Sequence, residues 1–159
     1  MARPLRLEYT GDLYHVGARG NHQENIFKDE DDRLAFISFF QYVCQRCNWV
    51  CYAYCLMRNH YHLLIETPNA NLPKGVHRFN GIYTQTFNRN NNRIGCLYQG
   101  RYKTILVEKD NHLLELSRCI ANQRPDPVER VLLLLAVLFF NGYFGYCVWH
   151  TRAFSHIAR

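Results

Sequence analysis

Between Thr67 and Val107 the chain contains no aspartate or glutamate at all. A stretch that long without a carboxylate leaves its cations unneutralised by sequence neighbours and points away from a balanced, salt-bridged surface. Other absences narrow the class further. The opening residues Met1-Ala2-Arg3-Pro4-Leu5-Arg6 lack the apolar segment of a secretory leader, so a cytoplasmic protein is expected. The longest apolar run, residues 131–140, is shorter than the roughly 20 residues a bilayer-spanning helix needs. No membrane partner is expected. There is no internal repeat and no linker, and 159 residues suit one domain with a real core.

Cysteine is not scarce, but its number is odd. Seven occur, at 44, 47, 51, 55, 96, 119 and 147, which without a leader reads as free thiols in a reducing compartment. The run Cys44, Cys47, Cys51, Cys55 invites a zinc reading. The first two fall in a helical pattern and the last two in a strand pattern, so packing as small core residues is the better account.

What the chain has in quantity is positive charge, +6 overall. Lys74, Arg78, Arg89, Arg93, Arg101 and Lys103 fall inside the acid-free interval, interleaved with asparagines and aromatic residues. Cations supply the salt-dependent attraction to phosphates, and asparagine bonds to bases or sugar. A nucleic acid is therefore the expected partner; a merely solvated basic face is the plainer alternative.

The order of elements is read from periodicity. Residues 13–18 form a first strand, followed by the turn Arg19-Gly20-Asn21-His22. Asp29 is placed to cap a helix carrying Leu34, Ile37, Phe40 (or Phe36), Val43, Cys44 and Cys47, and Asn48 to end it. Residues 49–56 and 60–66 pair as a hairpin. A second helix, capped by Asn69 or Asn71, buries Leu72, Val76, Phe79, Tyr83 and Phe87, and residues 88–93 form a polar loop. Residues 101–108 make a fourth strand, and a third helix carries Leu113, Leu116 and Ile120. This is an α+β chain of order βαββαβα. It predicts a ferredoxin-like sandwich with an antiparallel four-stranded sheet, strands one and three central, and one sheet face partly free.

His60 and His62 lie in the third strand. Side chains two apart on a strand share a face, so the two imidazoles form half of a divalent-cation site; two polar residues on a half-solvated face is the bland alternative. The third helix puts Glu115, Cys119 and Gln123 on one face. Docked on the open sheet, it would bring Gln123 as an oxygen ligand, a set suited to Mg²⁺ or Mn²⁺ at least as well as zinc.

Several motifs occur in a particular order: Tyr14-His15-Val16 with Arg19-Gly20-Asn21, then residues 53–64 ending in His60-Tyr61-His62-Leu63-Leu64, then Asn80-Gly81-Ile82-Tyr83-Thr84-Gln85, then Tyr98-Gln99-Gly100-Arg101-Tyr102-Lys103. Over residues 9–123 the chain resembles the REP-associated tyrosine transposases, members of the single-tyrosine HUH transposases of bacterial insertion sequences. The resemblance implies a metal site on the two histidines and a helix-borne tyrosine that attacks single-stranded DNA. Attack leaves a covalent 5′-phosphotyrosine and a free 3′-hydroxyl, and the DNA is typically a hairpin. Gln123 matches the third-ligand position, whereas Cys119 stands where the family carries its tyrosine. Tyr102 is a candidate substitute nucleophile, and Tyr61 alternates to the face opposite the histidines. The expected organisation is a transposase domain over residues 1–123 and a divergent tail over 124–159. That tail is either degenerate or an apolar oligomerisation helix supporting a homodimer. Two functions stay open: a metal-dependent DNA-cleaving and strand-transferring transposase, or a catalytically impaired hairpin-binding descendant.

Overall fold

The computed structural model describes residues 8–107. The third helix, Cys119, Gln123 and the tail lie outside the described residues. Within them the order is β1 (Asp12–Arg19), a 3-10 turn (Asn21–Gln23), α1 (Glu30–Cys47), β2 (Val50–Met57), β3 (His60–Thr67), α2 (Leu72–Asn90) and β4 (Lys103–Val107). The strands form one antiparallel sheet in the order β2-β3-β1-β4, so β1 and β3 are central as the ferredoxin-like reading requires.

Helix ends follow local chemistry. Asp29 caps α1 by accepting the Asp32 amide at 2.8 Å, and Asn48 ends it in the left-handed region at φ 56°. Asn71 sits at the start of α2, but its side chain makes no cap. Instead it accepts the Trp49 indole N–H at 2.6 Å and donates to the Cys47 carbonyl at 2.9 Å, tying the end of α1 to the start of α2. The sequence pattern ends α2 too early. The helix continues to Asn90, and the Asn91 amide and side chain both close on the Phe87 carbonyl.

Both helices pack on one sheet face around Phe36, whose ring lies 4.6–5.1 Å from those of Phe79, Tyr61, Tyr83 and Phe27. The buried row of α1 is Asp32, Phe36, Phe40 and Val43, and Leu34 is exposed. The aromatic row of α2 is core: Phe79, Tyr83 and Phe87 are buried, and the Tyr83 hydroxyl donates to the Ile26 carbonyl at 2.6 Å. Gly75 faces the Trp49 ring so closely that a Cβ would fall 2.1 Å from it. Gly→Ala inside a helix ordinarily stabilises by about 1 kcal/mol. Here the ring is buried and held by Asn71, so an overpacking cost of roughly 1–3 kcal/mol should win. Gly75→Ala is expected to lower the urea midpoint; an unchanged or higher one would show that Trp49 yields.

Cys44, Cys47 and Cys51 border the helix-facing cluster, and Cys55 separates from them. A register shift between Cys51 and Ala53 sends Cys51 to the helix-facing cluster and Cys55 to a smaller cluster on the second face with Leu13, Ala53, Leu64 and Val107. One bulge thus undoes the parity that would put both thiols together. Burial pushes the Cys51 thiol up to about 12, whereas Cys96 is exposed. Brief alkylation of native protein should therefore mark the Cys96 peptide and spare those of Cys51 and Cys55 until denaturant is added. Equal labelling of all three would contradict this packing.

Candidate active site

Alternation along β3 decides which side chains meet. Tyr61, Leu63 and Ile65 enter the helix-facing core, so His60 and His62 emerge on the second face. The antiparallel register sets Arg19 opposite His60, Gly17 opposite His62 and His15 opposite Leu64. His15 therefore joins the same face from the neighbouring central strand. The ring centroids of His60 and His62 are 5.1 Å apart and those of His15 and His62 5.0 Å, with His15 Nε2 2.9 Å from His62 Nδ1. Sequence reasoning placed His15 only within a motif. Its period-two match to Gly17 and Arg19 was the available signal, but cross-strand register was needed to read it.

His60 is oriented from its own turn. Its Nδ1 lies 2.6 Å from the Asn59 amide oxygen, while Asn59 donates through its side chain to the Gln23 carbonyl at 3.3 Å. An amide oxygen only accepts, so the proton sits on Nδ1 and the Nε2 lone pair is the one His60 presents. Burial, aided by the neighbouring His15 and His60, takes His62 down to about 4, and burial lowers His15 as well. At neutral pH His62 is an uncharged imidazole, the form that ligates metals.

The histidines floor a cleft of about 640 Å³ whose wall carries Arg19, Gln99, Arg101 and Lys103, with no carboxylate among its described lining residues. That wall is pinned to the end of β1. The Gln99 amide donates to the Arg19 carbonyl at 2.9 Å and the Asn21 amide to the Leu97 carbonyl at 2.8 Å. Gly20 lets the 3-10 turn fold back tightly against the end of β1, since a Cβ there would fall 2.1 Å from the Glu24 carbonyl oxygen.

The six basic residues of the acid-free interval divide. Arg101 and Lys103 line the cleft, whereas Lys74, Arg78 and Arg89 are exposed on α2, on the opposite layer. Arg78 donates to the Tyr42 hydroxyl at 3.1 Å, and Arg93 pairs with Glu24 at 2.6 Å. Neither tyrosine near the histidines presents its phenol to them. The Tyr61 hydroxyl donates to Asn80 Oδ1 at 2.8 Å on the helix side, and Tyr102 is buried in the helix-facing core. Among the described residues no group of three or more histidines, cysteines or carboxylates is arranged around a single ion. His60 and His62 nevertheless fit a divalent cation as a two-nitrogen half-site: both are half-buried, on one face and open to the cleft. The expected partners Cys119 and Gln123 lie outside the described residues.

Comparison with known proteins extends this picture. The fold is similar to that of a REP-associated tyrosine transposase solved bound to a REP hairpin, at TM-score 0.61 and 10% identity over 76% of this chain and 70% of that one. It is also similar to a protein of Deinococcus radiodurans R1 assigned as a transposase, at TM-score 0.52 and 17% identity over 79% of this chain and 100% of that one. No curated protein matches the chain. The family model described as "Transposase IS200 like" matches residues 9–123, well over half of the sequence, and the chain belongs to that transposase family.

Proposed function

We propose that the protein binds hairpin or single-stranded DNA and brings one phosphodiester to a divalent ion, Mg²⁺ or Mn²⁺, held by His60, His62 and Gln123. The observation that carries this reading is the pair of imidazoles on the floor of a cleft whose described wall is cationic, with no carboxylate among the described lining residues. A bound cation there would withdraw electrons from a phosphate and orient it. The chain's own contribution is to hold His62 neutral, to fix the tautomer of His60 through Asn59, and to draw the phosphate inward with Arg19, Arg101 and Lys103. Residues 1–123 act as the transposase domain. Residues 124–159 are a divergent tail, either degenerate or used to form a homodimer. Cys119 occupies the position from which the DNA phosphate is attacked.

A second reading, binding without cleavage, is favoured by a specific observation: the nearby phenols of Tyr61 and Tyr102 turn away from the histidines. Both readings require DNA in the cleft. Replacing Arg101 and Lys103 together by alanine should weaken hairpin binding and flatten the slope of log K against log salt. The expected change is about 1.4–1.8 units, near 0.7–0.9 per lost phosphate contact. Equal slopes for variant and wild type would take DNA out of the cleft. The same titration with Lys74, Arg78 and Arg89 replaced reports whether hairpin DNA also runs over the helical layer.

A further inference from the structure

We infer that His15 is a positioning residue: it accepts a hydrogen bond from Nδ1 of His62 and so commits His62 to present its Nε2 lone pair to the cleft. The inference rests on the metal-binding reading and adds to it a residue and a role. Two features of β1 build the seat. The first is the 2.9 Å approach of His15 Nε2 to His62 Nδ1, with the rings 29° from parallel. The second is Gly17, the register partner of His62, where even a Cβ would lie 3.2 Å from His62 Nδ1 and 3.1 Å from the Tyr61 carbonyl. The His62 ring thus lies across the β1 backbone where a glycine leaves room, with Nδ1 directed to His15.

Proton counting allows two arrangements, and the metal-binding reading selects one of them. Two neutral imidazoles facing each other through Nε2 and Nδ1 share one proton along that line. If His15 donates, His62 must carry its own proton on Nε2 and has no lone pair left for a cation. If His62 donates, its Nε2 is the available ligand atom and His15 keeps its proton on Nδ1. Without a partner at Nδ1, a histidine side chain in water favours the Nε2–H form. Both rings share that preference, so the arrangement in which His62 donates runs against it; the metal-binding reading selects that arrangement because only it leaves His62 a ligand atom. The pairing of His60 with the Asn59 amide oxygen likewise places a proton on Nδ1, so both histidines present Nε2, one through a partner on β1 and the other through the turn before β3.

The experiment combines ring-nitrogen NMR of the metal-free full-length protein with Mn²⁺ calorimetry. The wild type should show His62 as the Nδ1–H tautomer. His15→Phe, matched in bulk but unable to accept, should shift His62 toward Nε2–H and weaken Mn²⁺ binding by about 10- to 100-fold, the usual effect of removing an outer-shell partner. His15→Gln, whose amide oxygen accepts, should restore much of both. An Nε2–H His62 in the wild type overturns the inference, as does a His15→Phe variant with unchanged tautomer and affinity. So do three imidazole nitrogens on bound Mn²⁺ by pulsed EPR, which would make His15 a ligand. A wild type that binds no Mn²⁺ overturns the ligand role and the metal reading together. The NMR arm then still reports the hydrogen bond, so the two failures remain distinguishable.

Discussion

Mn²⁺ binding is expected to vanish when either His60 or His62 is replaced by alanine. The loss should exceed the roughly 10- to 100-fold assigned to an outer partner, because a donor atom itself is removed. Two nitrogens on one strand face are two of the three proposed protein ligands, and a single imidazole with waters holds a hard divalent ion poorly. The fold should survive. Both rings lie on the second sheet face, outside the aromatic core around Phe36. His77, exposed on α2, is the internal control, and His77→Ala should leave the affinity unchanged. Calorimetry gives the constants, and paramagnetic broadening of the His62 ring signals reports location. Unchanged affinity in both His60→Ala and His62→Ala would remove the ion from this face.

The same alternation that places these rings explains what the sequence made legible. Strand parity put His60 and His62 on one face, and the βαββαβ order fixed β1 and β3 at the centre of the sheet. The caps of α1 were readable too, since Asp29 and Asn48 act through their own backbone neighbourhood. Features set by distant contacts were not readable. Asn71 looks like a helix cap in the sequence, but Trp49 and the end of α1 claim its side chain. The bulge between Cys51 and Ala53 reverses the face of one cysteine, which no count of intervening residues reveals. The acid-free interval suggested one basic surface; folding divides it between the cleft wall and the outer side of α2, because β4 and α2 lie on different layers. His15 entered the site only through register with β3, 47 residues away in sequence from its partner His62. The parts of the site that escaped the sequence are those that depend on which strand lies beside which.

Covalent chemistry is where the largest gain of function is expected. In the wild type, adduct formation with labelled hairpin DNA in Mn²⁺ should be weak or absent, and Cys119→Tyr should raise it by about 100-fold. The resemblance puts residue 119 at the attacking position and Gln123 one helical turn further on, in ligand register. A cysteine side chain is several ångström shorter than tyrosine's, and a misplacement of about 1 Å can already cost on the order of 100-fold in rate. A thiolate is a competent nucleophile in general, so reach, not reactivity, is the deficit that tyrosine removes. In the restored reaction the phenolate oxygen forms a bond to phosphorus as the bond to the 3′-oxygen breaks. The 3′-oxygen leaves as a hydroxyl after taking up a proton, and the 5′-phosphate stays on the tyrosine. His60→Ala combined with Cys119→Tyr should abolish the adduct, whereas Tyr102→Phe should leave it intact, since Tyr102 is buried beneath the sheet's other face. A denaturing gel that retains labelled DNA on the protein reads every arm. Robust adduct from the wild type, lost in Cys119→Ser but kept in Tyr102→Phe, would overturn the expectation and make Cys119 a working thiolate nucleophile. No adduct from Cys119→Tyr, with hairpin binding and Mn²⁺ affinity intact, would instead make the protein a hairpin-binding member of a cleaving family.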